Sequence, residues 1–218
     1  MSKGDVMKKL VIIGTGGFGK EVAWLVERIN SNEPTWDLLG FVDDKLELQG
    51  TTVYKYPVLG NTLWLNNQSD EIYAVCAIGA SQTRKKVINK LNHLQFATLV
   101  DPAVIISDSV TLGEGTIICA GTILTVDIKV GNHVIINLDC TIGHDAIIED
   151  FVTLYPSVNV SGNTNLSECV ELGTGCQIIQ GLSVGNNSIV GAGSVIVKNI
   201  PENCTAVGIP AKPIKFHN

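Results

Sequence analysis

The sequence is short of positive charge. Lys and Arg number 15 against 21 Asp and Glu, giving a formal net charge of −6 and a pI near 5.1. A general nucleic-acid surface or a patch for anionic membranes needs clustered Lys and Arg, so both are set aside and a small-molecule substrate becomes the default. Also missing is any run approaching the eighteen or so apolar residues of a membrane span. Met1–Lys9 carries charge but lacks the apolar stretch of a secretion signal, and a cytoplasmic location is the expectation. No CxxC spacing occurs among Cys76, Cys119, Cys140, Cys169, Cys176 and Cys204, which read as small buried hydrophobes rather than disulfides or metal ligands. What is abundant is apolar material: 45% of the 218 residues are hydrophobic and only 17% charged, enough for one good-sized domain or two small ones and too much for a disordered chain.

Internal periodicity organises the second half. From Ile106 to Ile196 every sixth residue is Ile, Leu or Val, through Leu112, Ile118, Leu124, Val130, Ile136 and Ile142 onward without a slip. Four places after the aliphatic residue the chain is again small or apolar, as at Thr116, Val134, Cys140, Ala146 and Ser194, and glycine often follows it directly, as at Gly113, Gly143 and Gly173. A period of six fits neither the 3.6 of an α-helix nor the alternation of an open sheet. It fits a parallel β-helix of hexapeptide repeats, triangular in section, each hexad a short strand plus a turn with its aliphatic residue inward. Three hexads complete a coil of 18 residues, and coils stack about 4.8 Å apart. Ile106, Leu124, Ile142, Val160, Ile178 and Ile196 then form one interior ladder. Because one repeat cannot bury its own apolar face, the ends need caps, and the segments before Ile106 and after Pro201 are the candidates. With no loop extruded between these limits, a catalytic groove has to use the faces themselves.

The first ninety residues read differently. Lys9–Ile13 is a short apolar strand, Gly14 to Gly19 a glycine-rich turn, and Phe18, Val22, Leu25, Val26 and Ile29 recur at helical spacing. Further strands are expected at Leu38–Val42, ending in Asp43 and Asp44, and at Tyr73–Ile78, ending in Gly79. A helix over Ser81–Leu91 would be capped by Ser81. The succession predicts a small α/β, Rossmann-like domain with a parallel sheet over residues 1–99, followed by the β-helix and its tail over 100–218. The glycine turn has three readings: a dinucleotide site with Asp43 on a ribose, a purely structural turn, or a site for part of a nucleotide-linked or acidic substrate on free N–H groups at a helix start. Too few residues precede the prism for a two-halved dinucleotide domain.

Proton transfer near neutral pH points to histidine. His93 and His217 lie outside the repeat, and His133 falls at a turn position where an exposed, inert side chain is expected. His144, in Ile142-Gly143-His144-Asp145 midway along the prism, has an acid beside it that could fix the imidazole tautomer. Sequence adjacency leaves that contact open.

Taken in order, Gly14-Thr15-Gly16-Gly17-Phe18-Gly19, Phe41-Val42-Asp43-Asp44, Ala77-Ile78-Gly79, Ile142-Gly143-His144-Asp145, the hexads, and Val207-Gly208-Ile209-Pro210-Ala211-Lys212 closely resemble the bacterial hexapeptide-repeat sugar acyltransferases. These include sialic acid O-acetyltransferases and nucleotide-linked 4-amino-sugar N-acetyltransferases. The resemblance implies a homotrimer of left-handed β-helices with acetyl-CoA as co-substrate in the seam between subunits, and no metal. It places the catalytic histidine on His144, its acidic partner on Asp145, and an asparagine of the preceding turn on Asn137. Nucleotide-sugar contacts fall on Gly16, Gly17, Phe18, Asp43, Asp44 and Gly79, and acetyl-CoA contacts on Gly162, Thr174 and Ala192. Thr153, which takes the place of a second histidine that some members direct to the thioester end, is counted with these acetyl-CoA contacts.

The expected reaction is acyl transfer from acyl-CoA, acetyl being the natural group, to the amine of a nucleotide-linked 4-amino-6-deoxy sugar in a ternary complex. His144 would be general base and the Gly162 N–H the oxyanion donor. O-acetylation of sialic acid or another sugar hydroxyl is the rival within the class. A carbonic-anhydrase-type zinc enzyme would need three histidine ligands where the prism offers His133 and His144. A purely structural or binding solenoid leaves the glycine turn and the His-Asp pair without a reason.

Overall fold

The computed structural model describes residues 7–217. Most of the stretch in which no secretion signal is seen, Met1–Val6, lies outside the described residues. The chain divides into two compact units, one of residues 1–78 with 86–97 and one of residues 79–85 with 98–218. Among the described residues no helix is long and apolar enough to cross a membrane.

The first unit is a six-stranded sheet with helices. Strands β1 (Lys8–Ile13), β2 (Trp36–Val42), β3 (Thr52–Val53), β4 (Tyr56–Gly60), β5 (Ile72–Cys76) and β6 (Gln95–Phe96) lie in the order β3-β4-β2-β1-β5-β6. All neighbours run parallel except the β3–β4 hairpin, which the sequence did not announce. Helix α1 (Gly17–Asn32) buries Gly19, Val22, Ala23, Leu25 and Val26; of the predicted stripe Val22, Leu25 and Val26 are buried, while Phe18 and Ile29 at its ends are half-buried. Glycine is required at 19, because a Cβ there would run into the Gly14 carbonyl oxygen. Helix α2 (Ser81–Ile88) is shorter than expected.

The second unit is a left-handed parallel β-helix. Two-residue strands stack in register 18 residues apart on three faces, for instance Ile117–Ile118 on Ile135–Ile136, Ile123–Leu124 on Thr141–Ile142, and Lys129–Val130 on Ile147–Ile148. The first strand, Leu99–Val100, stands one hexad earlier than the periodicity from Ile106 suggested. Val100 keeps the six-residue beat but is followed by Asp101-Pro102 instead of a glycine. In the central ladder Leu124, Ile142, Val160, Ile178 and Ile196 are at most 3% exposed, each burial contributing about 1.5–3 kcal/mol. Ile106, expected among them, is 36% exposed, because it is the first rung and its interior neighbours begin only with the next coil. At the other end Ile200, Cys204 and Ala206 enter the core. There the strand Cys204–Val207 continues the parallel stack and turns into an exposed antiparallel strand, Lys212–Phe216.

The corners have a backbone rule of their own. From Leu112 to Val190 the chain takes a positive φ three places after the aliphatic residue, as at Gly121, Asp127, Asp139, Asp145, Asn163, Gly175 and Gly181. Gly, Asn and Asp tolerate this left-handed region best. At one corner the rule is met by costlier residues: His133, Phe151 and Cys169, each adding about 1–2 kcal/mol of strain. Residues 81–85 cover that corner. Arg84 donates from Nε to His133 O at 2.9 Å and from Nη2 to Phe151 O at 2.7 Å, and Ser81 Oγ donates to Cys169 O at 3.0 Å. Ser81 is therefore not the helix cap its position suggested: its hydroxyl is spent on the prism. Nor is His133 exposed. It is 5% accessible, stacked on Phe151 at 5.1 Å, and held neutral with its pKa lowered to about 4, by burial first and then by the Arg84 charge.

Candidate active site

His144 and Asp145 occupy the turn after the strand Thr141–Ile142. The positive φ of Asp145 belongs to that corner, and the bent chain brings its carboxylate back to the preceding ring. His144 Nδ1 lies 2.8 Å from Asp145 Oδ2, with about half of each side chain exposed. A carboxylate only accepts, so Nδ1 carries a hydrogen, and in the neutral ring the lone pair is then on Nε2. That free nitrogen lies over Gly162, which is 18 residues on and therefore at the same corner of the next coil. A Cβ at 162 would be 2.6 Å from Nε2 and 2.7 Å from Cε1. Any side chain at 162 would therefore have to push the ring out of this position. The neighbouring corner amides, Asp145 N and Asn163 N, are taken up by the Val126 and His144 carbonyls. The Gly162 amide takes no part in this ladder.

Thr174 and Ala192 stand at a different corner, the one following the strands Glu171–Leu172 and Ile189–Val190. Both are exposed and stacked one coil apart, with Gly193 N donating to Thr174 O at 2.8 Å. Asn137 lies at the same corner as Thr174, two coils earlier, and is 9% exposed. Its Oδ1 accepts from Leu138 N at 2.7 Å. One chain therefore brings together His144, Asp145 and Gly162, and it keeps Thr174 and Ala192 in a column along another edge, with Asn137 one position off that column at the same corner.

Thr153 requires a correction. It is 1% exposed, its Oγ1 donates to Gly79 O at 2.7 Å, and it accepts from Arg84 Nη2 at 2.9 Å. A hydroxyl buried and spent in this way cannot contact acetyl-CoA, the role expected from its alignment with a second histidine. Arg84, fully buried and holding four backbone carbonyls, was missed by the sequence reading. The one signal was its place just past Gly79, since nothing in a local pattern marks an arginine as interior.

In the first unit, Gly16 and Gly17 open helix α1. They are exposed, a Cβ at either would meet nothing within 4 Å, and no side chain caps the N–H groups of this first helical turn. Phe18 is half-buried beside them. Asp43, at the end of β2, accepts from Thr15 N at 3.0 Å and Thr15 Oγ1 at 2.6 Å through Oδ2, and from Lys45 N at 3.1 Å through Oδ1. Burial works to raise its pKa, but the hydroxyl and amide of Thr15, with Lys45, outweigh it and hold the carboxyl below its ordinary value. Asp44 accepts from Thr62 N at 2.9 Å and borders a cavity of about 290 Å³ lined also by Gln49, Asn61 and Lys90. Both acids are thus partly spent on the fold. Among the described residues no three His, Cys, Asp or Glu side chains come together as a metal-binding group.

Comparison with known proteins adds the following. Residues 9–91 match the family described as the PglD N-terminal domain. The chain is 33% identical to the acetyltransferase domain of PglB from Neisseria gonorrhoeae FA1090, solved in complex with acetyl coenzyme A. The superposition covers 96% of this chain and 100% of that one, with a TM-score of 0.88. PerB from Caulobacter crescentus, solved with CoA and GDP-perosamine, is 29% identical with a TM-score of 0.84, covering 96% and 99% of the two chains. A GDP-perosamine N-acetyltransferase of Escherichia coli O157:H7 is 28% identical over 213 residues, 94% of this chain and 95% of its own length.

Proposed function

The chain belongs to the hexapeptide-repeat sugar acyltransferases, and from that premise we propose that it transfers an acetyl group from acetyl-CoA to the amine of a nucleotide-linked 4-amino-6-deoxy sugar. The observation that carries the reading is the His144 ring, anchored at Nδ1 by Asp145 and laid with Nε2 over Gly162. In the proposed step the amine nitrogen attacks the thioester carbonyl carbon and its proton passes to His144 Nε2. The carbon–sulfur bond breaks, and the proton is returned to the leaving sulfur to give CoA thiol. Asp145 stabilises the imidazolium in between. A base so placed is worth roughly 10²–10⁴ in rate. The carbonyl oxygen gains charge as the tetrahedral centre forms, and the Gly162 N–H, beside Nε2, is the donor suited to meet it. No serine or cysteine acyl-enzyme is needed, and the cysteines are poor candidates: burial pushes the Cys140 thiol up to about 11 and Cys176 to about 12.

The acceptor is assigned to Gly16, Gly17, Phe18, Asp43, Asp44 and Gly79, and the acyl donor to Gly162, Thr174 and Ala192. Free N–H groups at the start of α1 suit the phosphates of a nucleotide sugar. The donor residues occupy two edges of one prism, with His144 on one and Thr174 on the other. A narrow groove that uses both edges is built by apposing two subunits, which supports a homotrimer with donor sites at its seams. A cytoplasmic location follows for an enzyme that draws on acyl-CoA. The test is a coupled assay for released CoA thiol with acetyl-CoA and a panel of acceptors. Turnover of nucleotide-linked 4-amino-6-deoxy sugars is expected. Turnover of free sialic acids alone would replace the N-acyl reading with the O-acyl one.

A further inference from the structure

On one face of the β-helix the outward-pointing residues of successive rungs are Ile117, Ile135, Thr153, Glu171 and Ile189. Polar side chains replace aliphatic ones in this row at Thr153 and Glu171, and these two meet the segment Gly79–Ser81. Thr153 Oγ1 donates to Gly79 O at 2.7 Å, while Glu171 Oε1 accepts from Ser81 N at 2.8 Å and lies 2.9 Å from Ser81 Oγ, whose one hydrogen it shares with Cys169 O. Arg84 completes the set, donating from Nη1 to Gly79 O at 3.0 Å and from Nη2 to Thr153 Oγ1 at 2.9 Å. The Gly79 carbonyl thus accepts two hydrogen bonds, which uses both its lone pairs. Glycine is the residue whose flanking peptides reorient most freely, and here the plane of that peptide is fixed.

We propose that Thr153 is a positioning residue for the acceptor: with Arg84 it locks the Gly79 peptide in the orientation that the nucleotide sugar meets. The inference rests on the reading in which Gly79 touches the acceptor. Packing alone does not call for threonine, since valine has the same shape and the flanking rungs Ile117 and Ile135 are aliphatic. What the hydroxyl adds is a donor to one carbonyl and an acceptor for the cation that holds the same carbonyl. The same geometry separates Thr153 from the acyl donor, which a side chain 1% exposed does not reach.

The test is steady-state kinetics on the full-length chain, wild type beside Thr153→Val and Thr153→Ser. Wild-type turnover of a nucleotide-linked amino sugar is measured first, and its failure with every acceptor would sink both the functional reading and this inference. With an active wild type, Thr153→Val is expected to raise the acceptor KM roughly tenfold, the loss of a hydrogen-bonded hydroxyl, while the acetyl-CoA KM stays within about twofold. Thr153→Ser, which keeps the hydroxyl, is expected to return the acceptor KM close to the wild-type value. Thr153→Ala serves in place of the valine variant should that fail to assemble. An unchanged acceptor KM, a rise confined to the acetyl-CoA KM, or equal losses in the valine and serine variants would overturn the proposal while leaving the assigned reaction in place.

Discussion

His144 Nε2 and the α-carbon of Gly162 face each other across one coil of the β-helix, so closely that a methyl group at 162 would stand 2.6 Å from the nitrogen. Gly162→Ala must therefore displace the imidazole or twist the backbone that carries the proposed oxyanion donor. A loss in kcat of at least about 100-fold is expected. Because the corner is at the surface and the stacked strands are untouched, the unfolding midpoint should move by only a few degrees. Wild-type kcat in the alanine variant would show that the ring position is irrelevant to turnover.

His144→Ala removes the base itself and is expected to lower turnover at least about 100-fold without altering the assembly. Asp145→Ala leaves the imidazole in place but frees its tautomer and orientation, so a smaller loss, about tenfold or more, should follow. The two changes act on one unit. The double variant should be no slower than His144→Ala, and multiplied losses in rate measurements would show that Asp145 works elsewhere.

Much of this was legible in the sequence because the controlling physics is local or periodic. The inward ladder follows from a six-residue beat that no other regular structure satisfies, and the glycine turn before α1 follows from Gly19 and its close approach to Gly14. The His144–Asp145 contact was left open by adjacency and is settled by a corner backbone with a positive φ at Asp145. That corner rule was itself readable, since Gly, Asn or Asp recurs three places after the aliphatic residue. Arg84, Thr153 and His133 could not be read. Each is decided by residues 79–85 lying on a face 49 to 90 positions away in the chain, and no local pattern encodes such a contact. Sequence reading thus failed where a buried polar group is satisfied at long range.

His133 supplies a prediction in pH. Its pKa is lowered to about 4 in the folded chain against an ordinary 6.5, so the unfolded chain binds the extra proton between those values. Stability is then complete above about pH 6.5 and falls as the pH drops toward 4, by about 3 kcal/mol at most. His133→Phe keeps a ring against Phe151 and removes the titration. Thermal unfolding followed from pH 7 to pH 4.5 should show a steeper decline in the wild type than in the variant. Parallel curves would remove His133 as the source.

Asp43 has two duties to separate. Its carboxylate holds Thr15 at the head of the glycine turn, and its lowered pKa marks that interaction as favouring the folded state. The contribution is present above pH 3.8 and is lost as the pH falls through the lower, folded value. Thr15→Val removes the hydroxyl partner while sparing the carboxylate, and should cost about 1 kcal/mol of stability with little change in acceptor KM. Asp43→Ala removes both the tie and the proposed contact, and should raise acceptor KM severalfold beyond Thr15→Val at a similar loss of stability. Equal acceptor KM values in the two variants would assign Asp43 wholly to the turn and leave nucleotide-sugar binding to Gly16, Gly17, Phe18, Asp44 and Gly79.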